Sequence, residues 1–208
     1  AQAVCDLEGW ELEKKPINWD SKDMELNSGS IDCIWNGFTM NGREDDYTFS
    51  EPYVDNSQVI VVADDSGIEK LTDLAGKTVG VQAASAALDL LQSEEEGGQK
   101  ELADTFGALN EFADYNTAFT ELQAGALDAL AIDVGVAKYQ LNSRGEGFKI
   151  LDETLNTEQY AIGFKKGNEE LRDQVQATLD EMAEDGTLAE IAAKYKDYNL
   201  DQMLCLGK

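Results

Sequence analysis

Short runs of β-branched and other apolar residues alternate with helical stripes along this chain of 208 residues. The run SQVIVVA at 57–63 suits the middle of a sheet, and TVGVQ at 78–82 and ALAID at 129–133 are also predicted strands. Near the C-terminus, apolar residues recur at helical spacing: Leu171, Val175, Leu179 and Met182. Alternating strands and helices predict an α/β fold.

The first forty residues predict one β-α-β unit. Residues 1–8 have the apolar face of a helix, which Gly9 ends. WELEKKPINW at 10–19 alternates like a strand, SKDMELNSG at 21–29 is typical of a short helix, and IDCIWNGF at 31–38 predicts a second strand. Such a unit implies two parallel strands joined by a right-handed connection.

The charge and the residue types exclude several classes of function. The chain has 42 acidic and 16 basic residues, for a net charge of −26, which disfavours nucleic acid and anionic lipid as partners. It has no histidine, so histidine-dependent catalysis and histidine metal sites are excluded, and we expect no metal or cofactor. No apolar run approaches the roughly 20 residues that span a bilayer, so we expect a soluble chain whose export signal, if any, has been removed.

The three cysteines allow two interpretations. They lie too far apart in sequence for a zinc site, at Cys5, Cys33 and Cys205. In an oxidising compartment Cys5 and Cys33 can form a disulfide, which would stabilise the fold by roughly 3 kcal/mol. The alternative is two buried free thiols, and Cys205 is left over from the pairing in either case.

The segment that follows the strand at 31–38 has the residues of a carboxylate site. Gly37 lets the backbone approach a ligand, Thr39 offers a hydroxyl, and Arg43 follows in the same loop. The planar guanidinium of an arginine can bind both oxygens of a carboxylate at once. The alternative is that Arg43 forms an ion pair with the acidic residues at 44–46 on a solvated turn.

Four stretches together resemble one family. They are I-D-x-I-W-N-G-F-T with a following Arg and F-S-E-P-Y; KLTDLAGKTVGVQAASA; LQAGALDALAIDVGVAKYQL; and TEQYAIGFKKGNEEL with GTLAEIAAKY. In this order they are similar to the family 3 extracellular solute-binding proteins of polar amino-acid ABC importers. The resemblance covers nearly the whole chain.

The resemblance implies the type II fold of periplasmic binding proteins, in which two lobes each contain a mixed, mostly parallel sheet flanked by helices. Lobe one would comprise 1–60 and 161–208, lobe two 64–157, with hinge crossings near 61–63 and 158–160. The implied function is non-enzymatic: the lobes close on a free amino acid outside the cytoplasm, in the periplasm or as a cell-surface lipoprotein. The membrane subunits of an ABC importer would be the partners. A sensory domain of a receptor or kinase, and a dehydratase of the cyclohexadienyl type, are the alternatives on the same fold.

The resemblance also implies a ligand-binding set. Arg43 would bind the α-carboxylate, and Asp133 the α-amino group, although Asp133 also suits the N-cap of the next helix. Phe38, like Trp35, is either a ligand contact or part of the core. The full set is Gly37, Phe38, Thr39, Arg43, Ala84, Ser85, Ala86, Asp133 and Gln159. Within it, Ser85 would cap a helix and Gln159 would reach the ligand from the hinge.

Two features depart from the family pattern. Thr39 and Arg43 are one residue closer than is common in the family, so we expect a tighter loop between them. The family also has a strand and a cleft loop before the helix with which this sequence begins. We therefore expect that another segment or another chain supplies that strand, or that ligand binding is impaired.

Overall fold

The computed structural model describes residues 1–207 as a mixture of short helices and two sheets. The α-helices are α1 Gln2–Glu8, α2 Lys22–Asn27, α3 Ala86–Gln92, α4 Lys100–Ala103, α5 Tyr115–Gln123, α6 Val134–Arg144, α7 Glu169–Glu184, α8 Thr187–Ala193 and α9 Leu200–Met203. The strands are β1 Cys33–Ile34, β2 Tyr47–Phe49, β3 Val54–Ala63, β4 Thr78–Gln82, β5 Ala108–Phe112, β6 Ala129–Asp133, β7 Phe148–Tyr160 and β8 Gly163–Lys165. Short 3₁₀ helices occur at Trp19–Ser21, Leu71–Leu74 and Lys196–Tyr198.

Backbone contacts divide the described residues into two compact units, and both units are α/β as expected. The first unit comprises Ala1–Asn56 and the chain from Glu158 onward, and the second is Ser57–Thr157. The chain therefore changes unit within β3 and within β7. The first change comes a few residues before the predicted crossing at 61–63, because Val59–Val62 is packed into the cores of the second unit.

The second unit is built on a five-stranded sheet of order β5-β4-β6-β3-β7. Strands β5, β4 and β6 are parallel, and β3 runs antiparallel to β6. Side chains of β3 alternate between the two faces: Ile60 and Val62 join one hydrophobic cluster, Val59 and Val61 the other. Both faces are thus covered, which explains why the run is apolar at successive positions.

The first unit has a three-stranded sheet of order β1-β8-β2. Here both pairings are antiparallel, since β8 runs opposite to β1 and β2 and lies between them. This differs from the mostly parallel sheet that was expected. The predicted strand at 10–19 is wrong as well: these residues are irregular up to the 3₁₀ helix at Trp19–Ser21. Neither sheet of the described residues 1–207 includes this segment, so alternation alone does not produce a strand.

Helix α7 covers the first unit with the apolar stripe that the sequence predicts. Val175, Leu179 and Met182 form a buried cluster with Ile162 and Phe164. The same cluster includes Val4 of α1, and α1 packs against α7. In the described part of the chain no helix is both long and apolar enough to cross a membrane.

The structure corrects the disulfide interpretation. Cys5, Cys33 and Cys205 are all free thiols, Cys5 buried and the other two partly so. Burial, and secondly the charge of Asp32, raises the pKa of Cys33 to about 11. The raised pKa keeps Cys33 as the neutral thiol. Since the thiolate is the form that attacks in disulfide formation, this environment disfavours a disulfide.

Candidate functional site

The predicted ligand residues of the second unit lie at one edge of its sheet. Strands β4 and β6 are parallel neighbours, so their carboxyl ends meet at the same edge. Residues 84–86 follow β4, and Asp133 is the last residue of β6. In sheets of this kind ligands commonly bind beyond the carboxyl ends of the strands. The fold of the second unit therefore brings these two predicted groups to one edge.

Asp133 is held by two side chains of the second unit. It is 9% exposed. Its Oδ1 accepts a hydrogen bond of 2.8 Å from Nε2 of Gln58, which pairs with it directly across β3 and β6. Its Oδ2 accepts a bond of 3.1 Å from the hydroxyl of Tyr115. Asp133 occupies the N-cap position of α6, but its side chain makes no capping hydrogen bond. The side chain therefore does not act as the helix cap, and the ligand role of Asp133 stays a prediction.

Ser85 is a helix cap, as predicted. It is the N-cap residue of α3, and its Oγ accepts a hydrogen bond of 3.2 Å from the backbone N–H of Leu88. Ala84 has a φ of 53°, a left-handed conformation that is strained for a residue with a Cβ. Ala86 begins the helix itself.

In the first unit, the loop after β1 is fixed by the strand that returns from the second unit. A Cβ on Gly37 would stand 3.0 Å from the ring of Tyr160, so the glycine permits a close approach of backbone and ring. The backbone N–H of Met40 donates to the carbonyl of Gln159 at 2.9 Å, and that of Ala161 donates to Phe38 at 3.0 Å. The loop is therefore held as though it were an added strand.

Thr39 belongs to a buried polar cluster of the first unit. Its Oγ donates to Oε1 of Glu158 at 2.8 Å. The same Oε1 accepts a bond of 2.7 Å from Nδ2 of Asn56. All three side chains are buried, Glu158 being 4% exposed. A carboxylate oxygen at this depth thus binds the hydroxyl of a predicted ligand residue.

Arg43 lies over the ring of Phe38, with the guanidinium carbon 5.3 Å from the ring centroid. The ring of Phe38 is fully buried and makes edge contacts with Trp19 and Tyr47. Burial favours the interpretation of Phe38 as a core residue. Its ring packs against the guanidinium of Arg43. The tighter loop that was expected contains a turn at Gly42, whose φ is 78°, and Arg43 donates its N–H to the carbonyl of Met40.

Gln159 and Trp35 are also engaged within the first unit. The amide nitrogen of the Gln159 side chain donates to Oδ1 of Asp55 at 3.0 Å, and its backbone N–H donates to Asn41 at 2.8 Å. Trp35 is partly buried and packs against the cluster around α7. The interpretation of Trp35 as a core residue is favoured, whereas the ligand role of Gln159 stays a prediction.

The sequence did not single out the side chains that hold these residues. Gln58 and Tyr115 orient Asp133. Glu158 accepts the hydrogen bonds of both Thr39 and Asn56. One signal was available for Gln58: it is a polar residue inside an apolar run, and it is completely buried. A buried amide requires hydrogen-bond partners, so this position indicates a polar side chain on a neighbouring strand.

An α/β chain that twice crosses between two units, with polar residues at the carboxyl ends of parallel strands, is typical of two-domain binding proteins. Comparison with known sequences specifies the class. Residues 1–198 match the profile of the bacterial extracellular solute-binding proteins, family 3, and the chain belongs to this family.

Two curated relatives are similar over most of the chain. The arginine-binding extracellular protein ArtP of Bacillus subtilis (strain 168) is 32% identical over 199 residues, which are 94% of this chain and 74% of the relative. The L-cystine-binding protein TcyJ of Escherichia coli (strain K12) is 28% identical over 198 residues, or 94% and 71%.

Solved structures agree in fold. A substrate-binding protein of an ABC uptake transporter from Streptococcus pneumoniae, with bound histidine, is 32% identical with a TM-score of 0.85, over 93% of this chain and 79% of that one. An ancestral arginine-binding protein bound to arginine is 36% identical with a TM-score of 0.79, over 92% and 83%. The type II fold of periplasmic binding proteins, expected from the sequence, is confirmed.

Proposed function

We propose that this chain binds a free amino acid outside the cytoplasm and presents it to the membrane subunits of an ABC importer, without catalysing a reaction. Arg43 of the first unit binds the α-carboxylate, and Asp133 of the second unit binds the α-ammonium. Membership of the solute-binding family supports the general role. The residue roles rest on the contacts within each unit.

The contacts of Asp133 are the observation that carries this proposal. A buried carboxylate at a helix N-cap ordinarily accepts hydrogen bonds from the first backbone N–H groups of the helix. Asp133 instead accepts from Gln58 and Tyr115, whose amide and hydroxyl are neutral donors. These two bonds fix the orientation of both oxygens, which suits a carboxylate that receives the ammonium of a ligand.

The guanidinium of Arg43 is oriented by its position over Phe38. A planar guanidinium placed in this way loses less freedom when it forms the paired hydrogen bonds that a carboxylate accepts. Gly37 and Thr39 would line the site from the same loop, and residues 84–86 would give a second contact to the carboxylate. Gln159 would reach the ligand from the second crossing.

The identity of the amino acid follows from pocket shape rather than from the fold. An ancestral arginine-binding protein has also been solved with glutamine, with 35% identity to this chain and a TM-score of 0.81. Relatives are named for arginine and for cystine. We therefore propose a polar amino acid, with L-arginine as the first to test.

The test is calorimetric titration of the chain with each of the twenty L-amino acids. At least one polar amino acid should bind. Asp133→Asn should weaken binding by at least about thirtyfold, because truncating one partner of a buried charge pair costs about 2–5 kcal/mol.

Two arginines permit a matched comparison. Arg144 lies over Phe119 with the same 5.3 Å separation that Arg43 has from Phe38. Arg43→Ala should abolish binding, whereas Arg144→Ala should leave the affinity unchanged. Equal affinities of Arg43→Ala and the unmodified chain would show that Arg43 is a surface residue. If the chain binds no amino acid and turnover of a cyclic amino-acid precursor is detected instead, the transport role is excluded.

A further inference from the structure

We propose that Glu158 is a positioning residue for ligand binding: it holds the hydroxyl hydrogen of Thr39, so that the Thr39 oxygen can only accept a hydrogen bond from the ligand. The partner on the ligand is then the α-ammonium and not the α-carboxylate. This inference rests on the proposed function, because it assigns a direction to one of its ligand contacts.

The geometry of the buried cluster supplies the first step. Oε1 of Glu158 accepts from Oγ of Thr39 at 2.8 Å and from Nδ2 of Asn56 at 2.7 Å. Glu158, Thr39 and Asn56 are 4%, 3% and 2% exposed. Buried, short hydrogen bonds of this kind persist because breaking them leaves polar atoms without water. All three residues belong to the first unit.

The chemistry of a hydroxyl supplies the second step. A threonine hydroxyl has one hydrogen to donate and two lone pairs that accept. The amide nitrogen of Asn56 can only donate, so Oε1 of Glu158 must be an acceptor that carries no hydrogen. The hydrogen of Thr39 is thereby committed to Oε1, and its lone pairs remain. Thr39 can then receive an ammonium but cannot donate to a carboxylate, which leaves the carboxylate to Arg43.

The place of the cluster in the chain supplies the third step. Asn56 is the last residue of the first unit on β3, and Glu158 is the residue of β7 at which the chain re-enters that unit. One carboxylate oxygen therefore joins the loop residue Thr39 to both segments through which the chain passes between units. The orientation of the Thr39 hydroxyl is therefore set by a side chain on β7 and not by the loop that contains Thr39.

The test is a double-mutant cycle between Thr39→Val and Glu158→Leu, with affinity for L-arginine measured by calorimetry. If L-arginine does not bind, the probe is whichever of the twenty amino acids binds the unmodified chain most tightly. Each single variant should weaken binding about tenfold, as expected for one hydrogen bond to a charged group. The double variant should bind no more than about twofold worse than Thr39→Val, since Glu158 acts through that hydroxyl.

Glu158→Gln is the conservative variant. Its amide oxygen can still accept from both Thr39 and Asn56, so affinity should stay within about threefold of the unmodified chain. Asp152→Asn is the control: it removes an exposed carboxylate from the same strand and should leave affinity unchanged. Urea unfolding of each variant identifies any that is not folded, and Glu158→Met replaces Glu158→Leu in that event.

The outcomes separate the two proposals. If the unmodified chain binds no amino acid, the proposed function is excluded and this inference with it. If it binds and the effects of the two single variants multiply in the double variant, Glu158 does not act through Thr39 and the inference is wrong. A loss in Glu158→Gln as large as that in Thr39→Val would also overturn it, because charge and not hydrogen-bond direction would then be responsible.

Discussion

Gly163 is the position where one methyl group should disturb the first unit most. A Cβ there would stand 2.5 Å from Cε1 and 2.7 Å from Cδ1 of Phe38. Carbon atoms in good contact are about 3.5–4.0 Å apart, so Gly163→Ala requires a displacement of about 1 Å. The ring of Phe38 cannot easily supply it, because the centroids of the Tyr47 and Phe49 rings are 5.0 and 5.4 Å away.

The strand cannot supply the displacement either. Gly163 is paired with Ile34 of β1 on one side and with Phe49 of β2 on the other. Overpacking of a core usually costs about 1–3 kcal/mol. We expect a loss near 3 kcal/mol for Gly163→Ala, which lowers the melting temperature of a chain of this size by about 6–12 °C.

Urea unfolding followed by tryptophan fluorescence measures this loss. Gly135→Ala is the control: Gly135 lies in α6, and a Cβ there meets no atom within 4 Å. That variant should be neutral or stabilised by up to about 1 kcal/mol, as for alanine in a helix. Phe38→Leu, introduced into Gly163→Ala, should recover part of the loss by removing the clash. A loss below about 0.5 kcal/mol for Gly163→Ala would refute the packing argument.

Two further predictions concern strain and thiol chemistry. Ala84→Gly should raise the free energy of unfolding by about 0.5–1 kcal/mol, because glycine adopts the φ of 53° without strain; urea unfolding measures it, and destabilisation would contradict it. Cys33, with its pKa raised to about 11, should react with a disulfide reagent at pH 8 roughly a hundredfold more slowly than an ordinary thiol, in a chain that is free of disulfides by non-reducing mass spectrometry. The raised pKa means that this thiol stabilises the fold below pH of about 9 and that its contribution is lost as the pH rises through about 11.

The elements that the sequence predicts well are those whose local pattern agrees with their packing. The run at 57–63 becomes the buried part of β3, and the stripe of Val175, Leu179 and Met182 becomes the buried face of α7. The segment at 10–19 alternates as clearly, but a strand also needs a neighbour with which to exchange hydrogen bonds. A pattern within one segment contains no information about that neighbour.

Site prediction was limited for a similar reason. The role predicted for Asp133 came from the family resemblance, whose motif around this strand is local in sequence. The donors to Asp133 were not predicted: Gln58 lies 75 residues away in sequence and meets Asp133 only through the register of β3 on β6. Likewise Glu158 and Thr39 are 119 residues apart. Such contacts are set by pairing, and the resemblance to a family conveys the ligand residues without their supports.

The loop after β1 is positioned by contacts that are distant in sequence. Residues 37–41 have little regular structure of their own, yet Gly37 lies against Tyr160, Thr39 bonds to Glu158, and Met40 bonds to Gln159. Every one of these partners belongs to the strand that returns more than a hundred residues later. The geometry of the proposed carboxylate and ammonium contacts is therefore determined by that strand, and substitutions at 158–160 should alter ligand affinity as strongly as substitutions in the loop.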